Sequence, residues 1–339
     1  MGTPPVIDWA SDESHLLLNP RMPEEERQKL ASYVTALRAH VWLATSGTTG
    51  ALKLTALSKN AILASAAAVN RRLQSTAADV WCCVLPTFHV GGLGIYARAH
   101  LSGARVVAAQ WNPQQFAAIE EMTLASLVPA QVSDLIAAQL RPPARLRGII
   151  VGGGALDVEL DRAARALGWP LLPSYGMTEL CSTIGMAQHD SSELILLDHI
   201  DARTEEDGRL ALSSASLLTG YGTDRGFVDP KIKGWLITED LGSVEGRVLR
   251  VHGRRGDFVK IGGESVDLAR LDTVVASIAG LHAAIVAVPD ARLGHVIHLV
   301  VDRSVDADIV AAAYEARVHP YERARQVHRV GEIPRSSLG

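Results

Sequence analysis

The chain has 339 residues, of which 47% are hydrophobic and 21% are charged, and its formal net charge is −4 at pH 7. A chain of this length can form one to three domains, and its charge gives no reason to expect a nucleic acid or an anionic membrane as a partner. It has no apolar run of the roughly twenty residues that a membrane span needs, and its start, with Asp8, Asp12 and Glu13, lacks the pattern of a signal peptide, so we expect neither a span nor export.

Apolar runs and helical patterns alternate through the first half of the chain. A short helix is predicted where Pro23 precedes three glutamates, and an alanine-rich helix is predicted over residues 60–72. Four later runs have the length of buried strands and are separated by helical patterns. The predicted strands cover residues 80–85, 104–109, 124–128 and 148–151, and the predicted helices cover residues 114–122, 131–139 and 158–167. This alternation indicates an α/β fold with a mainly parallel sheet.

The pattern changes after about residue 205. Short strands are predicted over residues 209–213, 234–238 and 247–251, and a compact α+β unit follows, with helices over residues 267–279 and 307–317 and strands over residues 284–288 and 297–301. We therefore predict a large N-terminal domain of residues 1–252, with mainly parallel sheets and a β-rich subdomain, and a small mobile C-terminal α+β domain of residues 257–339. Residues 253–256, in which two glycines flank two arginines, form the predicted hinge.

Cysteine usage indicates a reducing compartment. Cys82, Cys83 and Cys181 have no metal-ligand spacing, and the adjacent pair lies in the predicted strand 80–85. We expect buried thiols rather than a redox centre, and therefore a cytoplasmic protein.

The most informative segment is residues 45–53, which read Thr-Ser-Gly-Thr-Thr-Gly-Ala-Leu-Lys. Hydroxyl groups and bare backbone N–H groups at one turn form a nest for an anion, usually phosphate, and Lys53 can supply a mobile positive charge. The segment is not a Walker A loop, because Leu52 rather than glycine precedes the lysine. The alternative interpretation is a Ser/Thr/Gly-rich surface loop without a ligand.

Residues 174–179 read Ser-Tyr-Gly-Met-Thr-Glu and form a second candidate motif. Tyr175 offers a ring face to a purine, and Thr178 offers a hydroxyl group to a phosphate. Glu179 is a hard oxygen ligand, which Mg²⁺ prefers in combination with phosphate oxygens. Taken alone, the segment could be a plain loop.

Three other segments carry weaker signals. His89 follows the strand 80–85 within Pro-Thr-Phe-His-Val-Gly-Gly, at a strand end where α/β proteins place ligands, although a lone histidine is more often structural. Gly153 and Gly154 leave backbone groups open to a flat ligand such as adenine, although glycines at strand ends often form only tight turns. Asp240 can accept hydrogen bonds from both hydroxyl groups of a ribose.

Together these segments resemble the signatures of adenylate-forming enzymes, the acyl-CoA synthetase and luciferase group. Residues 45–53 resemble the phosphate loop of that family, and residues 174–179 resemble its Tyr-Gly-x-Thr-Glu motif. Residues 253–257 resemble the hinge, and residues 260–266 resemble the glycine loop that closes over the site of thioester formation. The resemblance extends over nearly all of the chain from residue 41 and implies ATP, Mg²⁺ and coenzyme A as cofactors.

The resemblance also implies a role for each candidate residue. Lys53, Thr178, Glu179 and His89 are expected to be catalytic, with Glu179 as the metal ligand and with His89 and the segment around Ser182 facing the acyl group. Asp240 and Arg254 are expected to contact the ribose. The full set of residues expected to bind the nucleotide or coenzyme A is Thr45, Ser46, Gly47, Thr48, Thr49, Gly50, Gly153, Gly154, Ser174, Tyr175, Gly176, Asp240, Arg254, Gly262 and Gly263.

Within this family the chain is most similar to the o-succinylbenzoate–CoA ligases of menaquinone biosynthesis. Residues 125–131 and 146–156 carry this similarity, as does the Ser-Thr pair at residues 182–183. The implied substrate is a small carboxylic acid, o-succinylbenzoate, which is joined to coenzyme A through an acyl-adenylate. Only about forty residues precede the phosphate loop, so we expect a much reduced N-terminal subdomain, whose packing surface a second subunit of a homodimer could cover.

Three departures from the family pattern leave other functions open. Glu239 replaces a glycine before Asp240, and Gly256 stands where the family has its pivot aspartate. The catalytic lysine of the family would follow Gly339, so either the chain continues or the protein lacks this lysine. The acyl group could instead pass to a carrier-protein thiol, or the protein could bind a nucleotide without catalysis.

Overall fold

The structure, a computed structural model, describes residues 7–46, 52–255, 258–261, 264–290 and 293–334. The chain forms two compact units. Of the described residues, the first unit holds 7–238 and 243–250, and the second unit holds 239–242 and 251–334. No helix in the described part of the chain has both the length and the apolar composition needed to cross a membrane.

In the first unit helices alternate with strands as far as Ala166, and a run of strands follows. Its helices are α1 (Glu24–Ala31), α2 (Lys59–Leu73), α3 (Val90–Ser102), α4 (Pro113–Ala117), α5 (Pro129–Ala137) and α6 (Val158–Ala166). Its strands are β1 (His15–Leu17), β2 (His40–Ser46), β3 (Leu52–Ser58), β4 (Val80–Cys83), β5 (Arg105–Ala108), β6 (Leu124–Leu127), β7 (Gly148–Val151), β8 (Leu171–Met177), β9 (Ser182–Met186), β10 (Leu194–Leu196), β11 (Ile200–Thr204), β12 (Arg209–Ser214), β13 (Gly220–Thr223) and β14 (Gly226–Val228).

Two strands have residues in both units, β15 (Leu236–Glu245) and β16 (Val248–Arg254). The second unit continues with β17 (Phe258–Ile261), β18 (Glu264–Asp267), α7 (Leu268–Ala279), β19 (Ala283–Asp290), β20 (Gly294–Val301), α8 (Ala307–Glu315) and β21 (Ala324–Arg329). The chain thus passes from one unit to the other within β15 and β16. The assignment of residues 253–256 as a hinge stays a prediction, and Gly256 lies outside the described residues.

A large mixed sheet has the strand order β11-β12-β15-β16-β10-β9-β8-β7-β6-β4-β5. The strands from β8 to β5 along this order are parallel, and β9 pairs with β8 in antiparallel orientation. Every residue of β4, β6 and β7 is buried, because helices cover both faces of the parallel part. Helices α2 and α3 pack on one face, and α4, α5 and α6 pack on the other. The predicted α/β fold is therefore confirmed.

A second sheet, in the order β1-β2-β3-β13-β14, carries the ends of the candidate phosphate loop. Strands β2 and β3 form an antiparallel hairpin, and β13 pairs antiparallel with the other side of β3. The back face of the hairpin buries Trp42 and Leu54 against Leu30 of α1. Helix α2 follows β3 directly, and its first turn is capped by Ser58, whose side chain accepts a hydrogen bond from the backbone N–H of Ala61.

The second unit has its own core under α7 and α8. Its sheet has the order β18-β17-β20-β19, and β21 lies parallel to β20. Helix α7 begins after Asp267, whose carboxylate accepts a hydrogen bond of 3.1 Å from the backbone N–H of Arg270. This is the α+β unit that the sequence predicts.

Several elements differ from the sequence prediction, and three of them show the physical reasons. Helix α4 ends at Ala117 rather than at residue 122, because the chain then turns to bury Met122 before β6. Strand β15 extends to Glu245, so Asp240 lies inside a strand. Strand β21 was not predicted, since five of its six residues are exposed and its Ala-Arg-Gln-Val-His-Arg sequence contains no apolar run.

Candidate functional site

The candidate site begins on the front face of the β2–β3 hairpin. Thr45 lies opposite Lys53 in the strand register, and the hydroxyl oxygens of Thr45 and Thr55 are 3.0 Å apart. Side chains alternate between the two faces of a strand, so Thr45, Lys53 and Thr55 share one face. Of the predicted phosphate ligands, Ser46 ends β2, while Gly47, Thr48, Thr49 and Gly50 lie outside the described residues.

Residues 174–179 supply a carboxylate to this face. After β8, Thr178 and Glu179 enter a single 3₁₀ turn, and the carbonyl oxygen of Glu179 accepts a hydrogen bond of 2.8 Å from the backbone N–H of Leu218. The Nζ atom of Lys53 lies 3.8 Å from Oε1 of Glu179, and both side chains are mostly buried. The fold therefore brings together two segments that are more than one hundred residues apart in the sequence.

Tyr221 completes this cluster, and the sequence analysis missed it. The Tyr221 hydroxyl group donates a hydrogen bond of 2.8 Å to Oε1 of Glu179. The Nζ atom of Lys53 lies 3.3 Å from the centre of the Tyr221 ring, which is a cation–π contact. The sequence feature that could have pointed to Tyr221 is its position between two glycines, Gly220 and Gly222, in a short β-strand.

The candidate adenine-binding residues lie at adjacent strand ends. The Ser174 hydroxyl group donates a hydrogen bond of 2.9 Å to the carbonyl oxygen of Val151, the last residue of β7, and Gly153 and Gly154 follow. Tyr175 is half-buried in β8. A Cβ atom on Gly176 would lie 2.0 Å from the carbonyl oxygen of Ser182, so the close approach of β8 and β9 requires glycine here.

His89 lies at the N-terminal end of α3 and is half-buried beside Phe88, with the two ring centres 4.7 Å apart. Burial lowers the pKa of His89, because desolvation disfavours the charged imidazolium. A neutral imidazole at neutral pH fits the predicted place of His89 in an acyl pocket better than a cation does.

Arg98 of α3 is a second residue that the sequence analysis missed. Its residue surface is only 2% exposed. Its guanidinium donates to three hydroxyl oxygens, those of Ser126 at 3.4 Å, Ser182 at 3.2 Å and Thr183 at 3.4 Å. The Nε atom of Arg98 is buried and has no hydrogen-bond partner in the part of the chain that the structure describes. The side chain is directed toward the N-terminal end of α3, because a Cβ atom on Gly94 would lie 3.4 Å from its Nη2 atom.

The charge of Arg98 is not neutralised by any carboxylate among the described residues. Burial lowers the pKa of Arg98 to about 10, so the guanidinium is still charged at neutral pH. A buried cation is costly unless an anion accompanies it. The hydroxyl groups around Arg98 and its unused N–H group therefore form a site that suits a carboxylate from a ligand.

Asp240 and Arg254 are brought together in the second unit. The Oδ1 atom of Asp240 lies 3.6 Å from the Nε atom of Arg254, and the Asp240 side chain is 20% exposed. Gly262 and Gly263 lie outside the described residues.

The site can be tested for the ligands it would accept. Among the described residues no three His, Cys, Asp or Glu side chains cluster to hold a metal ion. Mg²⁺ usually binds to one or two carboxylates together with substrate phosphates, so a single Glu179 beside Lys53 fits a magnesium–phosphate group.

Comparison with known proteins gives a family match and several similar relatives. A sequence profile described as AMP-binding enzyme matches residues 10–209. The 2-succinylbenzoate–CoA ligase of Bacillus licheniformis is 29% identical over 323 residues, which cover 86% of this chain and 66% of that protein. The indoleacetate–CoA ligase of Aromatoleum aromaticum is 31% identical over 329 residues, which cover 87% of this chain and 64% of that protein. The chain therefore spans just under two thirds of the length of these relatives.

Solved structures share the fold. The o-succinylbenzoate coenzyme A synthetase (MenE) from Bacillus subtilis, in complex with ATP and magnesium ion, is 26% identical with a TM-score of 0.77, and the match covers 87% of this chain and 67% of that chain. The same enzyme in complex with the acyl-adenylate intermediate OSB-AMP matches with a TM-score of 0.76 at 25% identity, over 87% of this chain and 66% of that chain.

Proposed function

Because the chain belongs to the family of AMP-binding enzymes, we propose that it is an ATP-dependent acid–CoA ligase that works through an acyl-adenylate and takes o-succinylbenzoate as its acid. The 2-succinylbenzoate–CoA ligases among its relatives and the bound OSB-AMP in a structural neighbour support this proposal. The indoleacetate–CoA ligase is a comparably similar relative, so the choice of acid needs an argument from the site itself.

The observation that carries the choice of acid is the buried, unneutralised Arg98. o-Succinylbenzoate has two carboxylates, and only one of them becomes a thioester. The other remains ionised and would need a cation in an apolar acyl pocket. Indoleacetate has a single carboxylate and would leave Arg98 buried without an anion. The guanidinium with its hydroxyl neighbours therefore favours a dicarboxylic acid.

The first half-reaction forms the adenylate. A carboxylate oxygen of the acid attacks the α-phosphorus of ATP, the bond from that phosphorus to the bridging oxygen breaks, and pyrophosphate leaves. We assign Lys53, Thr178 and the hydroxyl-rich turn that includes Thr45 and Ser46 to the phosphate oxygens, where their charge and N–H or O–H groups stabilise the leaving pyrophosphate. Mg²⁺ held by Glu179 would offset phosphate charge when it is bound.

The second half-reaction transfers the acyl group. The thiol of coenzyme A releases its proton to solvent and attacks the acyl carbon, the bond from that carbon to the phosphate oxygen breaks, and AMP leaves. We propose that residues 257–339 move about residues 253–256 between the two half-reactions and that Gly262 and Gly263 then border the thioester-forming site. Ser174, Tyr175 and Gly176 hold the adenine with Gly153 and Gly154, and Asp240 and Arg254 hold the ribose in this proposal. His89 lines the acyl pocket.

We also propose a cytoplasmic location and a homodimer. All three cysteines are buried and unpaired, and burial raises the pKa of Cys83 to about 11, which suits a reducing compartment. The edge strand β14 is fully exposed and presents Phe227 and Val228, and an exposed apolar edge of this kind suits contact with a second copy. Light scattering after size exclusion should give twice the mass of one chain, and a monomer over the micromolar range would reject the dimer.

The test of the proposed function is a product analysis with two matched acids. The protein is incubated with ATP, Mg²⁺, coenzyme A and either o-succinylbenzoate or 4-oxo-4-phenylbutanoate, which lacks the ring carboxylate. We expect the mass of o-succinylbenzoyl-CoA, release of AMP and pyrophosphate, and a kcat/KM at least about a hundredfold higher than for the mono-acid.

The other outcomes separate the alternatives. Pyrophosphate release without an acyl-CoA product would favour a carrier-protein thiol as the acceptor. ATP binding without pyrophosphate release, across a panel of aryl and alkyl acids, would reject the ligase in favour of a nucleotide-binding protein without catalysis. Equal kcat/KM for the two matched acids would reject the role of the second carboxylate.

A further inference from the structure

Strand β13 places one aromatic side chain on the front face of the site. Tyr221 pairs with Thr55 of β3, and Lys53 lies two residues before Thr55 on the same face. The segment before Tyr221 is fixed by other contacts. The ammonium group of Lys231 donates hydrogen bonds of 2.9 Å to the carbonyl oxygens of Leu218 and Thr219. Tyr221 therefore reaches the site from a well-anchored strand.

Two glycines allow this strand to pack closely on its other face. A Cβ atom on Gly220 would lie 2.5 Å from the Phe227 ring, and a Cβ atom on Gly222 would lie 2.4 Å from the carbonyl oxygen of Tyr33. Neither position tolerates a side chain without a shift of the strand. Successive side chains of a strand point to opposite faces. The two glycines therefore allow β13 to approach Phe227 and Tyr33 closely on one face, and Tyr221 points to the site on the other.

Both contacts to the Glu179 carboxylate fall on the same oxygen. The Tyr221 hydroxyl group and the Lys53 ammonium group both approach Oε1, at 2.8 Å and 3.8 Å. None of the described residues donates a hydrogen bond to Oε2. This oxygen is also absent from the set of buried polar atoms that lack a hydrogen-bond partner. A carboxylate that is held through one oxygen keeps its orientation while the other oxygen can bind a cation.

We propose that Tyr221 is a positioning residue that holds Glu179 by Oε1 and thereby presents Oε2 to the magnesium ion of a bound MgATP. Its ring also retains the Lys53 ammonium group beside the place of the phosphates, through the cation–π contact. When the phosphates bind, Lys53 exchanges Glu179 for phosphate oxygens, and the Tyr221 hydrogen bond keeps Glu179 in place. This inference rests on the proposed function, because it assumes that this cluster binds MgATP.

The test measures the Mg²⁺ requirement of ATP binding in the absence of any acid. Tyr221→Phe removes the hydroxyl group and keeps the ring, whereas Tyr221→Leu removes both. We expect Tyr221→Phe to raise the half-saturating Mg²⁺ concentration by about tenfold with little change in ATP affinity at saturating Mg²⁺, since one hydrogen bond to a charged group is lost. Tyr221→Leu should in addition weaken ATP binding at saturating Mg²⁺, because Lys53 loses its aromatic contact.

The control variants distinguish positioning from a general loss of structure. Tyr33→Phe removes a hydroxyl group from the turn after α1, whose Tyr33 carbonyl oxygen packs beside Gly222 of β13, and should leave the Mg²⁺ requirement unchanged. In a Glu179→Gln background, Tyr221→Phe should cause no further change, because the two groups act as one unit. An unchanged Mg²⁺ requirement in Tyr221→Phe, or an equal rise in both backgrounds, would overturn the positioning role.

The proposed function fails in a different way. If the wild-type protein binds MgATP and Tyr221→Phe shifts the Mg²⁺ requirement while no acid yields pyrophosphate, the ligase proposal falls and the positioning role stands. If the wild-type protein binds no MgATP, the nucleotide site and the positioning role both fall.

Discussion

Arg98 shows how a single residue can be costly to the fold and useful to the site. Its guanidinium is buried next to three hydroxyl groups and faces the Trp81 ring, with 5.4 Å between Cζ and the ring centre. Neither contact type neutralises a charge, and buried charges without a counterion destabilise proteins. Backbone strain lies beside it, since Cys181 and Ser182 have φ angles of 57° and 126°. Unfavourable features of this kind concentrate at functional sites.

Replacing Arg98 should therefore separate activity from stability. For Arg98→Met, a side chain of similar length without charge, we expect kcat/KM for o-succinylbenzoate to fall by at least about a hundredfold. The melting temperature should stay level or rise, because an unneutralised charge leaves the interior. Activity with 4-oxo-4-phenylbutanoate serves as the internal control and should change little. A large fall in melting temperature, or equal losses with both acids, would argue that Arg98 is structural.

Lys53 and Glu179 should each matter for the first half-reaction. Lys53→Ala removes a positive charge beside the proposed phosphates, and Glu179→Gln removes the charge that would hold Mg²⁺. We expect each change to lower the rate of pyrophosphate release by more than about tenfold. Lys29→Ala, on the outer surface of α1, is the matched control and should have the wild-type rate. Wild-type rates in both variants would contradict the phosphate assignment.

His199 makes the fold sensitive to acid. Burial lowers the pKa of His199 to about 4, and Arg71 and Arg247 lower it further while Asp198 opposes them. The unfolded chain binds this proton near the usual pKa of about 6.5, so the stability that depends on neutral His199 is present above pH 6.5 and is lost as the pH falls toward 4.

The prediction is a difference between two pH profiles. The free energy of unfolding of the wild type should fall more steeply between pH 6.5 and 4.5 than that of His199→Gln, measured by urea denaturation at each pH. The Arg71–Asp198 pair is present in both proteins and cancels in the comparison. Parallel profiles for the two proteins would contradict the assignment to His199.

Sequence patterns found some site residues and missed others for physical reasons. Lys53 and Glu179 belong to short motifs whose residue types already suggest phosphate and magnesium. Arg98 lies in a helix, where the side chain of an arginine usually reaches solvent. Only the glycines earlier in α3 indicated that another group packs closely against this helix. Tyr221 depends on which strand pairs with β3, and the pairing of segments far apart in sequence is not encoded in local periodicity.

At the scale of elements, the buried strands were the most predictable part of the fold. β4, β6 and β7 are short apolar runs buried on both faces, and their bounds differ from the predicted ones by at most two residues. The sequence predicted a hydroxyl-rich turn at residues 45–53 but not the β2–β3 hairpin that carries it, because the turn residues dominate the local pattern. β21 was missed because strand pairing with β20, rather than burial, defines it.

A buried lysine at the start of α2 contacts the segment before β1. The ammonium group of Lys59 donates to the carbonyl oxygens of Asp8 and Ser11, at 2.6 and 2.9 Å, and to the Ser11 hydroxyl oxygen at 3.0 Å. Lys59 is only 1% exposed. These contacts fix the chain just before β1, which covers the edge of the hairpin.

Loss of this lysine should loosen the segment locally. In Lys59→Met we expect amide hydrogen exchange of residues 8–17 to rise by about tenfold, while exchange in β4 and β6 stays at the wild-type rate. Lys29→Met, an exposed lysine of α1, is the matched control and should leave the exchange of the segment unchanged. Unaltered exchange in Lys59→Met would show that other contacts hold this segment.

At the scale of the whole molecule, the two units divide the proposed chemistry. The residues proposed for the phosphates, Mg²⁺ and the acid, Lys53, Glu179 and Arg98, lie in the first unit, and the proposed ribose residues Asp240 and Arg254 lie in the second. The sequence predicted the two architectures, because each has its own periodicity. It did not show that the chain passes between the units within β15 and β16, because local strand patterns do not reveal which unit a strand belongs to.

The most direct test of the account is a crystal structure of this protein with a non-hydrolysable acyl-adenylate analogue of o-succinylbenzoate. We predict that the free carboxylate of the ligand lies within hydrogen-bond distance of the Arg98 guanidinium and that its adenylate linkage lies beside Lys53 and Thr178. A ligand bound elsewhere, or a free carboxylate that contacts solvent while Arg98 stays with its three hydroxyl neighbours, would contradict the account.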